Sequence, residues 1–223
     1  MQKATSIKAG FTTTAFFRHS YRDAVLVALS LLHGLAIFVA PSIPLIAIGV
    51  WWNSNTISHH FLHLPFFRSN VINRFYSLYL NVLLGIPQSI WRDRHLAHHR
   101  GDAVHLRWTP VVAAEIFLIA ALWGTLVWAM PQFFLTVYLP GIGLGLALCY
   151  LHGYFEHFGG TTSNYGGLYN FGFFNDGYHI EHHQNPSRHW TRMREVGVVN
   201  PRTSRWPAVL RWIEIFNLET LKR

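Results

Sequence analysis

Long apolar runs and the short breaks between them organise this chain. Four stretches are apolar over nearly the roughly 20 residues that a helix needs to cross a bilayer: residues 24–40, 43–57, 111–130 and 133–151. Pro41-Ser-Ile-Pro44 interrupts the pattern between the first two, and Pro131 between the last two. Both breaks are short and uncharged, so each pair reads as a helical hairpin. The second stretch is short for a crossing and is expected to continue helically into residues 59–63. A fifth apolar stretch, FYSLYLNVLLGIP (residues 75–87), is too short to cross and is expected to lie as an interfacial or re-entrant helix against the bundle. WPAVLRWIEIFNL (residues 206–218) has the pattern of an amphipathic helix, suited to the membrane surface or to packing on a cytoplasmic domain. The pattern predicts an all-α integral membrane protein: four transmembrane helices in two hairpins, a helical cap on one side, and a single domain over residues 1–223.

Composition and charge sharpen this picture. Hydrophobic residues make up 51% of the chain and charged residues 13%, against about 25% charged in an ordinary soluble domain. The net charge of +8 comes from 18 basic and 10 acidic residues. Its distribution argues against nucleic-acid binding, because the basic residues flank the apolar stretches and never interrupt them. Lys3, Lys8, Arg18 and Arg22 precede the first stretch, Arg68 to Arg107 lie between the hairpins, and the others follow the fourth stretch. Two tight hairpins place all of them on one face, which the positive-inside rule makes cytoplasmic, together with both termini. Glu115 is the one acid in any of the four stretches, close enough to the boundary to reach water. The first ten residues lack the apolar core and cleavage pattern of a signal peptide, so the first stretch reads as a retained span. Short uncharged turns favour a bacterial inner membrane over an endoplasmic reticulum. The single cysteine, Cys149, excludes an intrachain disulfide and a thiolate metal site.

Fifteen histidines are far more than a core or a surface needs, and most are clustered. SHHFLH carries His59, His60 and His63; WRDRHLAHH carries His95, His98 and His99; YHIEHH carries His179, His182 and His183. His157 stands in GYFEHFG after the fourth stretch. Residues three and four apart share a helix face, so His59 and His63 can address one metal, with His60/His63 as the alternative pair. In each H-x-x-H-H the first histidine shares a face with both later ones. The adjacent two diverge by about 100° and can serve two neighbouring ions, or one ion plus a bridge, so two copies read as two halves of a binuclear site. Imidazole suits zinc, copper, iron or nickel, but this many ligands exceeds one tetrahedral zinc. The neighbouring acids Asp93, Glu156, Asp176 and Glu181 are candidates to accept the outer ring N–H of ligating histidines. His19, His33, His105 and His189 match no cluster, and Trp51, Trp52 and Trp91 are candidates to line a substrate channel.

These boxes resemble those of the membrane fatty acid desaturase superfamily, which also includes alkane hydroxylases and carotenoid-modifying oxygenases. WRDRHLAHH resembles the second histidine box of that superfamily, DGYHIEHHQNPSRHW the last and SHHFLH the first. GYFEHFG is similar to the N-Y-x-E-H-Y-G segment of alkane hydroxylases. The resemblance runs from about Asn53 to Trp190, with the boxes in order between the spans. It implies two iron ions (Fe2+/Fe3+) held by His59, His63, His95, His98, His99, His157, His179, His182 and His183. It also implies molecular oxygen, a lipid or hydrocarbon substrate, and a separate electron donor of ferredoxin, rubredoxin or cytochrome b5 type. Gly153 stands where relatives place asparagine or histidine, and His152 is the candidate to compensate. The reaction expected is acyl-lipid desaturation, with hydroxylation of an alkane, fatty acyl or carotenoid substrate as the alternative. A metal transporter is disfavoured because such proteins place ionisable residues within their spans. A zinc hydrolase is disfavoured because H-E-x-x-H is absent.

Overall fold

A computed structural model describes residues 15–215. Lys3, Lys8 and the other residues before 15, and residues 216–218 of the C-terminal amphipathic stretch, lie outside the described residues. Within them the regular structure is helical, and the only β contacts are two isolated bridges, Phe17 with Phe67 and Ser163 with Thr203.

The first hairpin consists of α1 (Asp23–Val39) and α2 (Ile43–Asn53). Ser42 caps α2 by accepting from Leu45 N at 3.4 Å, and Pro44 fits the first turn, where its missing N–H has no partner to lose. The chain then passes without a break through a π-helical turn, Ser54–Ser58, into α3 (His59–His63). A π turn carries an extra residue and re-phases the helix beyond it. Two side chains bond back to carbonyls one turn earlier, Asn55 Nδ2 to Trp51 O at 2.7 Å and Thr56 Oγ1 to Trp52 O at 2.5 Å. The expected extension into residues 59–63 is therefore present, with a changed phase.

Between the hairpins lie α4 (Asn70–Leu84) and α5 (Gln88–Arg100). The fifth apolar stretch falls within α4, which buries Tyr76, Leu80 and Leu84 against Leu26, Ile57 and Phe61, and leaves Val71 and Phe75 exposed. Gly85 and Gly101 end these helices at φ +65° and +67°, a conformation that a side chain would strain.

The second hairpin consists of α6 (Pro110–Ala129), α7 (Pro131–Phe133), a π turn (Phe134–Tyr138) and α8 (Leu139–His157). By length and composition, Pro110–Ala129 and Pro131–His157 are the two helices able to cross a membrane among the described residues, and α1 is a shorter apolar helix. Phe117, Trp128, Leu135 and Leu144 point outward without cover, as lipid-facing residues do.

α8 packs directly on α2. A Cβ on Gly141 would lie 2.8 Å from Ile46 Cβ, and one on Gly145 2.8 Å from Val50 Cβ and 3.0 Å from Ala47 O. Small residues four apart admit this close approach. Pairing Gly141 with Ile46 and Gly145 with Val50 makes the two helices parallel, so α3 and the end of α8 emerge on the same side.

One expectation needs correcting. Glu115 is nearly fully buried rather than in reach of water, and its carboxylate accepts from Ser89 N and Ser89 Oγ, each at 3.0 Å. The N-terminal N–H groups of α5 offer a site for negative charge, and they solvate this acid in place of water. The C-terminal amphipathic segment, so far as described (Ala208–Leu210 and α11, Trp212–Ile215), packs on the end of α8. Arg211 there donates to the carbonyls of Phe155 and Phe158.

Candidate metal centre

Four helices deliver histidines to one place. α3 brings His59 and His63, α5 brings His95, His98 and His99, the end of α8 brings His157, and α10 (His179–Gln184), which follows the short α9 (Gly167–Gly172), brings His179, His182 and His183. They sort into two adjacent groups. In the first, nitrogens of His59, His63, His95, His99 and His182 lie within 4.8 Å of one another. Their Nε2 atoms are 2.8 Å apart for His59–His182 and His63–His95, 3.0 Å for His95–His99, and 3.1 Å from His182 to both His63 and His99. In the second, His157 is the hub. It meets His98 at 2.9 Å and His179 at 3.1 Å, while His98, His157 and His183 form one cluster and His157, His179 and Glu156 another.

The helical arithmetic of the two H-x-x-H-H boxes accounts for this division. In α5 the i, i+4 pair His95 and His99 goes to the first group, and His98 goes to the second. In α10 the i, i+4 pair His179 and His183 goes to the second group, and His182 goes to the first. Each box therefore contributes to both groups, and the rings of His99 and His183 stand 4.2 Å apart where the groups meet.

The protonation of these rings bears on what they can hold. Burial, reinforced by neighbouring histidines, lowers His63 and His183 to about 3 and His99 to about 4, and holds His59, His95, His179 and His182 well below the ordinary imidazole range. The rings are thus neutral near pH 7, with one N–H each. His59 Nδ1 faces Asp176 Oδ1 at 3.6 Å and His179 Nδ1 faces Glu156 Oε1 at 3.3 Å, and a carboxylate beside an outer nitrogen favours the proton there. The inward Nε2 atoms then present lone pairs to one another, and these cannot satisfy each other. His183 Nε2 and His99 Nδ1 are buried with no hydrogen-bond partner at all. A cation resolves this conflict. Metal–nitrogen bonds of about 2.1 Å at right angles put neighbouring nitrogens about 3 Å apart, close to the spacings of the first group. The residues fit one metal ion in each group.

The remaining candidates fall around this core. His60 is turned away, its Nε2 3.2 Å from Phe174 O and its ring stacked near Trp190. Asp93 is in neither group and pairs with Arg92 and Arg107. Glu181 accepts from Ser163 Oγ at 2.8 Å and Tyr165 OH at 2.6 Å. His152 joins Glu156 and Asp176 in a separate buried triad, while a Cβ at Gly153 would meet nothing within 4 Å. Trp51 donates to His152 and Trp52 to Gly172 O. Of the unclustered histidines, His33 lies against Asn53, His105 is exposed, and His189 donates to the fully buried Asp23 at 2.9 Å, as does Trp190. This last tie fastens the start of α1 to the segment after α10. The sequence carries no local signal for it, since the partners are 166 residues apart.

An all-helical architecture with membrane-type helices and two converging histidine groups is compatible with a metal centre held at one end of a membrane protein. The fatty acid desaturase family model matches residues 103–213, and the chain belongs to that family. The match takes in His157, His179, His182 and His183, whereas the histidines of α3 and α5 precede it. No curated protein and no solved structure matches the chain.

Proposed function

We propose that this protein is an oxygen-dependent di-iron oxidoreductase that acts on a long acyl or hydrocarbon chain, and that its principal reaction is desaturation of a fatty acyl lipid. The observation that carries the reading is the division of nine histidines into two adjacent, neutral, inward-facing groups. His59, His63, His95, His99 and His182 would hold one iron, and His98, His157, His179 and His183 the other. Iron so bound would supply activation of molecular oxygen and the oxidising power to remove hydrogen from an unactivated C–H bond. The protein's own residues orient the ligands through Asp176 and Glu156. The electrons come from a separate donor protein of ferredoxin, rubredoxin or cytochrome b5 type.

Membrane residence follows from the family and from the two long apolar helices. We further propose that α1 and α2 form a second spanning hairpin, with the histidine centre and both termini cytoplasmic and the whole chain acting as one domain in a bacterial inner membrane. The parallel course of α2 and α8 supports this topology, since both deliver ligands to the same side. A groove of about 830 Å3 between α4, α5 and the start of α6 suits the substrate. Phe61, Leu78 and Val112 offer it apolar walls, and Arg74, Arg92 and Arg107 stand at its rim to meet an anionic headgroup.

The resemblance of GYFEHFG to alkane hydroxylases favours hydroxylation as the second reading, because the same ligands serve both reactions. The test is iron analysis of the purified protein together with lipid analysis of cells that express it. About two irons per chain with new double bonds is expected. New hydroxyl groups would select the second reading, and one zinc with unchanged lipids would overturn both.

A further inference from the structure

The triad of His152, Glu156 and Asp176 shares Glu156 with the second histidine group and reaches the first through Asp176. His152 is completely buried in α8. Its Nδ1 accepts from Trp51 Nε1 at 3.2 Å, which assigns the ring proton to Nε2. That N–H points between two carboxylates, with Glu156 Oε1 at 3.2 Å and Asp176 Oδ2 at 3.4 Å. Each carboxylate continues to one ligand. Asp176 Oδ1 faces Nδ1 of His59, a member of the five-histidine group, and Glu156 Oε1 faces Nδ1 of His179, a member of the four-histidine group. The contacts therefore run His59–Asp176–His152–Glu156–His179, with a hydrogen bond between His152 and Glu156 and close charge contacts at the other three links, and Tyr169 OH adds a flanking contact to His152 at 3.4 Å.

We propose that His152 is a positioning residue that couples the two metal sites, holding Asp176 and Glu156 in register so that each orients a ligand of a different ion. This rests on the reading of the histidine groups as metal sites. Buried carboxylates need donors, and His152 lies between these two, with Tyr169 OH beside it. Without it each acid is free to rotate away from its histidine, and the ligand loses the partner that fixes its tautomer and ring angle. Such outer partners commonly affect metal affinity by about 10–100-fold. The arrangement makes a specific demand: loss of one acid weakens one site, and loss of His152 weakens both.

The experiment is cobalt(II) titration of the metal-free full-length protein in detergent, with His63→Ala and His98→Ala as references that identify the two binding steps. Asp176→Asn is expected to weaken only the five-histidine step and Glu156→Gln only the four-histidine step. His152→Leu is expected to weaken both, about 10–100-fold each, and His152→Gln, whose amide can donate to both acids, to recover most of the loss. Two unchanged steps in His152→Leu, or loss confined to one, would overturn the coupling. If His152→Leu fails to insert, the acid variants decide: selective losses uphold the proposal, and equal losses at both steps overturn it. A wild-type protein that binds no cobalt would instead overturn the metal-site reading itself, and the coupling with it.

Discussion

At the residue scale, adjacent histidines do different work. His98 and His99 diverge on α5 and enter different groups, as do His182 and His183 on α10. The five-histidine group retains four nitrogens when His99 is lost, whereas the other group falls to three without His98. His98→Ala is therefore expected to bring metal content close to one ion per chain, and His99→Ala to retain more metal at weaker affinity. Both should abolish turnover, and metal analysis beside an activity assay distinguishes the two. Retained activity in either would remove that residue from the ligand set. The groove arginines differ in kind. Arg74 and Arg107 are exposed and reach no histidine, so Arg74→Ala with Arg107→Ala is expected to raise KM for an anionic substrate several-fold, with kcat unchanged. The effect should shrink as salt rises, and a fall in kcat at constant KM would place those residues elsewhere in the reaction.

At the scale of elements, the contact between α2 and α8 sets the spacing of the centre. Gly145 has no room for a side chain between Val50 and the Ala47 carbonyl. Gly145→Leu is expected to force the helices apart at a cost of about 1–3 kcal/mol, read as a lower Tm in detergent together with weaker metal binding. An unchanged Tm would mean that the helices do not depend on this approach. Elements of this kind were readable in the sequence where the information is local. Hairpins followed from apolar runs broken by proline, and the divergence of adjacent histidines within each box followed from the helical repeat. The π turn at Ser54–Ser58 was not readable, because nothing in SNTIS distinguishes it from an ordinary helical turn. Glu115 was misplaced because its solvation comes from Ser89 on another helix. His152 and Trp51 are 101 residues apart, and no periodicity joins them. Local order is written in neighbouring residues, whereas partners across the fold depend on how helices pack.

For the whole molecule, the centre concentrates uncharged imidazole in buried and half-buried positions, and this couples folding to pH. An imidazole in the unfolded chain takes up a proton near pH 6.5. Burial first, and neighbouring histidines second, delay this in the folded protein until about 4 for His99 and about 3 for His63 and His183. Between those limits the unfolded state binds more protons than the folded state, so acid favours unfolding. The metal-free protein should therefore lose stability progressively as pH falls from about 6.5 toward 4. Bound metal shifts the same balance further, because protons and metal compete for the same nitrogens. Metal release should consequently steepen across the window in which the metal-free protein weakens. Thermal melts of both forms from pH 8 to pH 4, with released metal measured in parallel, test this. A melting temperature independent of pH below 6.5 would mean that these rings are solvated rather than buried, and the inward lone pairs that call for a cation would not exist.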